Sequence, residues 1–411
     1  STFFKIVIII ATILVAIFSL HTKELDNYRM GEYFTLLGIV TFGLFLMVSS
    51  IDLVMVYLSI EIVSIMSFVL AGYLKQNTRS NEAALKYVVY GAFSSGIMLF
   101  GLSYVYGLTG STNFFQIQHV LLSSGQDNAP AILLSVVLIL AGFGYKGSAV
   151  PFHFWTPDVY EGSPTTITAY LSVAPKAGAL AMMIRFFNQV LSDGGAMYPP
   201  EGISLSELPW ANIISLIAVV TMTIGNLIAI QQDNIKRMLA YSSIAHAGYM
   251  LVGIIALIST SSAGSTTLFY VVGYALTNLT VFFCLQYVIN VTHSSSINSL
   301  RGLFSVYPLV SILLTVSILS LLGIPATVGF MGKVLVFSSA VDNGLAWLAV
   351  VGVINSFISA YYYLAMLRNI YISTEKFEQK SNSNNNYILV ASLSSSLVLI
   401  LGVFPDLLLS I

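Results

Sequence analysis

Apolar residues along this chain do not alternate with polar ones; they run in long blocks separated by short polar stretches. A helix needs about 20 apolar residues to cross a bilayer. By that measure twelve blocks stand out, near 3–20, 34–50, 53–73, 84–107, 131–150, 166–191, 211–230, 237–258, 267–290, 307–341, 345–371 and 388–410. The pattern predicts an all-α polytopic membrane protein with about twelve transmembrane helices. The tenth block is too long for one straight helix, and it carries Gly323-Ile324-Pro325 and Gly329 at its middle, followed by Lys333. It reads as a broken helix with backbone groups freed beside a lysine. Such breaks are tolerated at membrane depth where the segment is buried in protein or lines a hydrated cavity. The fifth block has the same character, with Gly142, Gly144, Lys146, Gly147 and Pro151.

Composition narrows the class. The 411 residues are 57% hydrophobic and 8% charged, where a soluble chain carries roughly 25% charged residues. The net charge is −1 and no basic run interleaves with aromatics, which argues against nucleic acid. The single cysteine, Cys284, lies in an apolar block and reads as core packing, with no disulfide framework, metal site or iron-sulfur ligation to support. The chain opens on Ser1 and runs straight into the apolar stretch 6–20 with no small-residue cleavage site, which predicts a spanning helix rather than a signal peptide and a chain shortened at this end.

Cations sort by side. With twelve helices, the face reached after the first helix holds Lys23, Arg29, Lys75, Arg79, Lys86, Lys236, Arg237, Arg301, Arg368, Lys376 and Lys380. The opposite face holds only Lys5, with Asp52, Asp127, Asp193, Glu201, Glu207, Asp342 and Asp406. The positive-inside rule makes the first face cytoplasmic or its organellar equivalent. Arg185 falls toward the second face, near an interface.

Three lysines and one acid remain inside apolar blocks. Lys146 and Lys176 bracket the stretch GFGYKGSAVPFHFWTPDVYEGSPTTITAYLSVAPK, and Lys333 follows the tenth block's break. A charge at the bilayer centre costs about 2.5–3.5 kcal/mol on insertion scales, so such residues usually face the bundle interior and mark ion or proton paths. The alternative is a lysine near a helix end that snorkels to the headgroups. Glu61 lies well within the third block and is the natural partner of Lys146. A close pair of this kind titrates according to hydration and separation, which makes it a candidate switch, the alternative being a static buried ion pair. His246 is either a hydrogen-bonded core residue or a relay with a suitable unperturbed pKa of about 6.5. His153, beside Asp158 and Glu161, belongs to a loop that is a structural plug or a proton entry.

The halves resemble each other. ALKYVVYGAFSSGIMLFGLSYVYG matches TLFYVVGYALTNLTVFFCLQYVIN when Tyr87 is set on Tyr270, an offset of 183 positions. At 185 Glu61 falls on His246, and at 187 Lys146 falls on Lys333. Five helices separate Glu61 from His246, and an odd number gives the halves opposite topology, as in inverted-repeat transporters. The expected organisation is 1–50 as N-terminal peripheral helices and 51–191 as a first five-helix repeat with Glu61, Lys146 and Lys176. A second repeat, 211–371, holds His246 and Lys333, and 388–411 is a C-terminal helix.

Four motifs carry a family resemblance: RSNEAALKYVVYGAFSSG, the GFGYKGSAVPFHFW stretch through AYLSVAPKAG, DNIKRMLAYSSIAHAGYMLVG and GIPATVGFMGKVLVF. With them the chain resembles the antiporter-like membrane subunits of proton-pumping NADH:quinone oxidoreductase (respiratory complex I), most closely the subunit N type, which includes mitochondrial NADH dehydrogenase subunit 2. The resemblance implies that Glu61 pairs with Lys146 on the first broken helix, that Lys176 is the central connecting lysine, that Lys333 sits on the second broken helix toward the outlet, and that His246 lies on the polar axis. It implies two peripheral helices fewer than bacterial members usually have.

The implied function is proton translocation coupled to electron transfer from NADH to quinone in other subunits. The resemblance places no redox centre in this chain and leaves NADH, FMN, iron-sulfur clusters and quinone to partners. The expected neighbours are complex I membrane subunits of the K and M types, the lateral helix of the L type, and lipids. The expected location is an energy-coupling membrane, bacterial plasma membrane first and mitochondrial inner or thylakoid membrane as alternatives. The competing function is a subunit of a multi-subunit sodium/proton antiporter; a purely structural spacer would have no reason to carry buried ionisable residues at repeat-related positions.

Overall fold

Side chains at the polar breaks between apolar blocks set many of the helix ends. Asp52 accepts hydrogen bonds from the amides of Val54 and Met55, Asn77 from that of Arg79, and Asn113 from those of Phe115 and Gln116. Each supplies an acceptor to amides that have no partner within their own helix. In the computed structural model, which describes residues 1–123, 128–192, 205, 208–259, 263–372, 377 and 386–409, the helices are α1 Thr2–Ser19, α2 Met30–Ser49, α3 Leu53–Ala71, α4 Thr78–Thr109, α5 Phe114–Leu122, α6 Ala129–Gly147, α7 Trp155–Gly162, α8 Thr165–Val190, α9 Trp210–Ala229, α10 Ile235–Ser259, α11 Ala263–Thr292, α12 Leu303–Val306, α13 Pro308–Leu322, α14 Val328–Asp342, α15 Ala346–Ile372, α16 Asn386–Val403 and α17 Asp406–Leu409. Asp127, Asp193, Glu201, Glu207, Lys376 and Lys380, used above to assign sidedness, lie outside the described residues.

Among the described residues, ten helices are long and apolar enough to cross a membrane: α1 to α4, α6, α8 to α11 and α15. The expected tenth block is indeed divided. Helix α13 stops at Leu322, Gly323 turns the chain at φ +89°, and α14 begins at Val328. The fifth block ends earlier than expected, because α6 stops at Gly147 and Ser148 adopts a left-handed φ of 61°. A loop then leads into α7.

Burial separates an inner set of helices from an outer one. Most of the apolar window is buried in α8 (94%), α10 (94%) and α11 (83%), against 33% in α4 and α15. The inner helices pack on one another, and α10 and α11 also pack on α14. Polar side chains on α8, α10 and α11 are therefore held by protein, not lipid.

Two loop arrangements recur at a fixed spacing. Leu53 N donates to Thr112 O at 2.9 Å and Phe114 N to Ile51 O at 3.0 Å, while Asp52 accepts from the Thr112 hydroxyl at 2.5 Å. At positions 182 or 183 further on, Ile235 N donates to Ser295 O and Ile297 N to Asp233 O, both at 2.8 Å. There Asn234 takes the place of Asp52: it accepts from the amides of Lys236 and Arg237 and donates to the Ser295 hydroxyl at 2.9 Å.

Candidate functional site

Lys146 lies in the last turn of α6 and is 1% exposed. Its ammonium has no hydrogen-bond acceptor among the described residues. It faces three aromatic rings instead, with centroids at 5.5 Å for Tyr145, 5.6 Å for Tyr87 and 5.9 Å for Phe68. Cations are attracted to ring faces at this range, and a cation near a helix C-terminus is also favoured by the helix dipole. The box is built by packing. Tyr145 donates through its hydroxyl to Tyr87 O at 2.8 Å, and Trp155 stacks on Tyr87 with centroids 4.4 Å apart while its Nε1 donates to Tyr145 O at 3.0 Å.

Glu61 sits on α3, and its Oε1 is buried without a hydrogen-bond partner. The structure does not bring Glu61 and Lys146 into an ion pair within 4.0 Å, as none joins them among the described residues. The expected contact is not made, and three aromatic rings face the ammonium instead.

Lys176 follows Pro175, which interrupts the amide ladder of α8. Its ammonium donates to the carbonyl of Ser243 on α10 at 2.7 Å and to the same residue's hydroxyl at 2.6 Å. The Ser243 hydroxyl meets Tyr274 OH of α11 at 2.6 Å and Tyr160 OH of α7 at 3.2 Å. Asn278 then links Tyr274, at 3.2 Å, to Ser172 of α8, at 2.7 Å. A cavity of about 20 Å³, lined by Lys176 together with Gly147 and Ala149 at the end of α6, separates α6 from α8. That is room for one water molecule.

His246 lies one turn beyond Ser242 and Ser243 on α10 and is 4% exposed. Its Nδ1 shares a 2.7 Å hydrogen bond with Tyr270 OH, and its Nε2 is 3.5 Å from Tyr363 OH, which in turn bonds Ser242 at 2.5 Å. Its ring lies 5.2 Å from that of Tyr274 and 5.6 Å from that of Tyr249. The Tyr249 ring continues the chain to Lys333, whose ammonium is 5.1 Å from its centroid.

Lys333 belongs to α14 and is 5% exposed. It reaches back to α13, donating to Leu321 O at 3.0 Å and Leu322 O at 2.9 Å. The freed carbonyls read from the Gly-Ile-Pro break are thus capped by the lysine beside it, a favourable site for a cation. A cavity of about 390 Å³ opens here, lined by Gly323, Lys333, Ser356 and apolar residues such as Phe330, Phe337 and Phe357. The two broken-helix lysines are not equivalent, since Lys146 precedes its break and Lys333 follows its own.

The structure therefore strings Lys176, His246 and Lys333 along α8, α10 and α14 through Ser243, Tyr274 and Tyr249, while Lys146, whose ammonium has no hydrogen-bond partner among the described residues, is not joined to this line. Sequence reasoning missed Ser243, Tyr160, Tyr270, Tyr274 and Tyr363, since serine and tyrosine are unremarkable in apolar helices. It counted Lys236 among the cations of the positive face without seeing that its ammonium is buried and donates to Ser163 O at 2.6 Å. His153 is buried beside the Phe154 ring with Nδ1 unpartnered, and burial holds its pKa below 6.5, so it is a neutral side chain near neutral pH. The single cysteine is buried in α11.

Known proteins place this arrangement. Residues 50–359 match the family described as NADH:quinone oxidoreductase/Mrp antiporter, TM. The chain is 43% identical over 403 residues to NADH-quinone oxidoreductase subunit N 2 of Chloroherpeton thalassium, covering 97% of this chain and 76% of that one. A chain of respiratory complex I from Thermus thermophilus with bound aureothin superposes with a TM-score of 0.80 at 30% identity, over 99% of this chain and 86% of that one. A chain of the Mrp complex from Dietzia superposes at 0.81 with 20% identity, over 99% and 82%, a likeness of fold alone. The protein is thus an antiporter-like, multi-span membrane chain and belongs to the NADH-quinone oxidoreductase subunit N family.

Proposed function

We propose that this chain moves protons along Lys146, Lys176, His246 and Lys333, driven by electron transfer from NADH to quinone in other subunits of a respiratory complex. The observation that carries this reading is the line of hydrogen bonds and ring contacts from Lys176 through Ser243, Tyr274, His246 and Tyr249 to Lys333, all of them buried. Buried ionisable groups inside a membrane are costly and usually mark ion paths, and hydroxyls between them provide groups that both donate and accept.

Glu61 and Lys146 act as the switch. The Lys146 ammonium rests among rings and Glu61 Oε1 is unpartnered, so a small displacement of either side chain changes their interaction strongly in a low-dielectric site. Closure of the pair holds the proton line at this end, and separation opens it. The proton then passes to Lys176, whose side chain borders a small cavity beside Gly147 and Ala149, the residues that follow Lys146 in the chain. Titration is collective along the line and belongs to no single lysine.

Residues 51–191 and 211–371 act as two inverted halves, a reading supported by the loop hydrogen bonds that recur at a spacing of 182 or 183. Within the complex the neighbours are subunits of the K and M types and the lateral helix of the L type, in a bacterial plasma membrane. The sodium/proton antiporter alternative draws on a family description that covers both kinds of protein and on a likeness of fold, whereas the relative at 43% identity is an NADH-quinone oxidoreductase subunit N.

Lys146→Met tests the switch, because it keeps an apolar stem among the rings and removes the charge. Coupled pumping is abolished while the complex assembles; a normal proton-to-electron ratio in this variant contradicts the reading.

A further inference from the structure

Two acids of α7 stand above the Lys146 box without belonging to the proton line. Asp158 and Glu161 are three residues apart and face the same way. Asp158 accepts from Lys86 of α4 at 2.7 Å and, through its other oxygen, from Arg237 of α10. Glu161 accepts from Arg237 at 3.1 Å and from Arg79 of α4 and Asn234 at 3.4 Å. Lys86 also holds Glu82 at 2.7 Å. These charges fasten the short α7 to α4 on one flank and to α10 on the other.

The other end of α7 carries Trp155. Its indole stacks on Tyr87 and holds Tyr145 O, and Tyr87 and Tyr145 are two of the three rings that face the Lys146 ammonium. Partly exposed ion pairs contribute little to stability, typically under about 1 kcal/mol each. What this cluster does supply is geometry, because a segment of eight residues between two turns has few other polar anchors to its neighbours.

We infer that Asp158 is a positioning residue for Lys146: by joining Lys86 to Arg237 it seats α7 so that Trp155 closes the ring box around the ammonium. The inference rests on the reading of Lys146 as a proton carrier. Burial alone would raise the Asp158 carboxyl, but its hydrogen bonds to Lys86 and Arg237 outweigh that and hold it below the usual 3.8. The clamp therefore stays charged across the neutral range. The groups facing Asp158 are Lys86 and Arg237, with Glu82, Glu161 and Arg79 behind them; the titratable groups facing Lys146 are Glu61, Tyr87 and Tyr145. A change in the pH profile of pumping across the neutral range thus reports the coupled line that includes Lys146, not titration of Asp158.

The test uses the assembled complex carrying Thr156→Cys, a position on α7 that is 0% exposed. Labelling by a small charged methanethiosulfonate reagent is read by mass spectrometry of this chain, alongside the pH profile of pumping. In the parent the cysteine is inert. Adding Asp158→Asn makes it react, lowers pumping roughly tenfold, as loosening of a positioned reacting group does, and displaces the pH profile; Asp158→Glu restores both readouts. Trp155→Phe, which keeps an aromatic ring and loses the Nε1 donor, displaces the profile while Thr156→Cys stays inert. An inert cysteine in Asp158→Asn overturns the inference whatever pumping does, and so does a reactive one with an unchanged profile. Normal pumping in Lys146→Met would instead overturn the proton-carrier reading, with the labelling result still deciding whether Asp158 seats α7.

Discussion

Lys176 on α8 donates to both oxygens of Ser243 on α10, at 2.7 and 2.6 Å, and the same Ser243 hydroxyl touches tyrosines from α7 and α11. One serine thus joins four helices at the centre of the proposed path. Ser243→Ala removes the hydroxyl and keeps the carbonyl, so Lys176 stays anchored while its link to Tyr274 is cut. Hydrogen bonds to charged groups contribute about 1.5–3 kcal/mol, so pumping should fall about tenfold or more in a complex that still assembles. Reconstituted vesicles with donor:quinone turnover and proton uptake measured together check this, and unchanged rates would remove Ser243 from the path.

Gly323 presents a different kind of constraint. It holds φ +89° at the end of α13, and a Cβ there would come within 3.1 Å of Lys333 Cδ and 3.4 Å of its Nζ. Gly323→Ala should cost about 1–2 kcal/mol in left-handed backbone strain and push the ammonium off the Leu321 and Leu322 carbonyls. The expected result is reduced pumping and earlier thermal release of the subunit. Gly107→Ala, on α4 with nothing within 4 Å of the added methyl, is the matched control and should be neutral or slightly stabilising.

Helix α8 begins after Pro164, which cannot cap it with a side chain. Glu24, from the turn after α1, supplies the cap: its carboxylate accepts from Thr165 N at 2.8 Å and from the Thr165 hydroxyl at 2.9 Å. Glu24→Gln should cost about 1 kcal/mol, the usual scale for a cap and a carboxylate at a helix N-terminus. Thermal melting of the complex should drop while turnover at low temperature is retained. A loss of turnover with no loss of stability would contradict a capping role.

Lys146, Lys176 and Lys333 were legible in the sequence because a charge within an apolar block conflicts with its surroundings, and the Gly-Ile-Pro run beside Lys333 announced freed carbonyls. What answers each charge was less visible. Backbone oxygens hold Lys333, one serine holds Lys176, and rings surround Lys146 where a carboxylate was expected. The burial of Lys236 was not visible because its acceptor, Ser163 O, is 73 residues away. Hydroxyls and rings fit apolar helices without conflict, so only the packing of α7, α8, α10 and α11 shows which of them meet.

Lys176→Ala tests the central claim most directly, because this ammonium is fully enclosed and its partners lie on another helix. Proton pumping and donor:quinone electron transfer are measured together in membranes carrying the assembled variant. The account predicts that both fall together; both activities unchanged would contradict it and leave Lys176 as a tolerated buried cation.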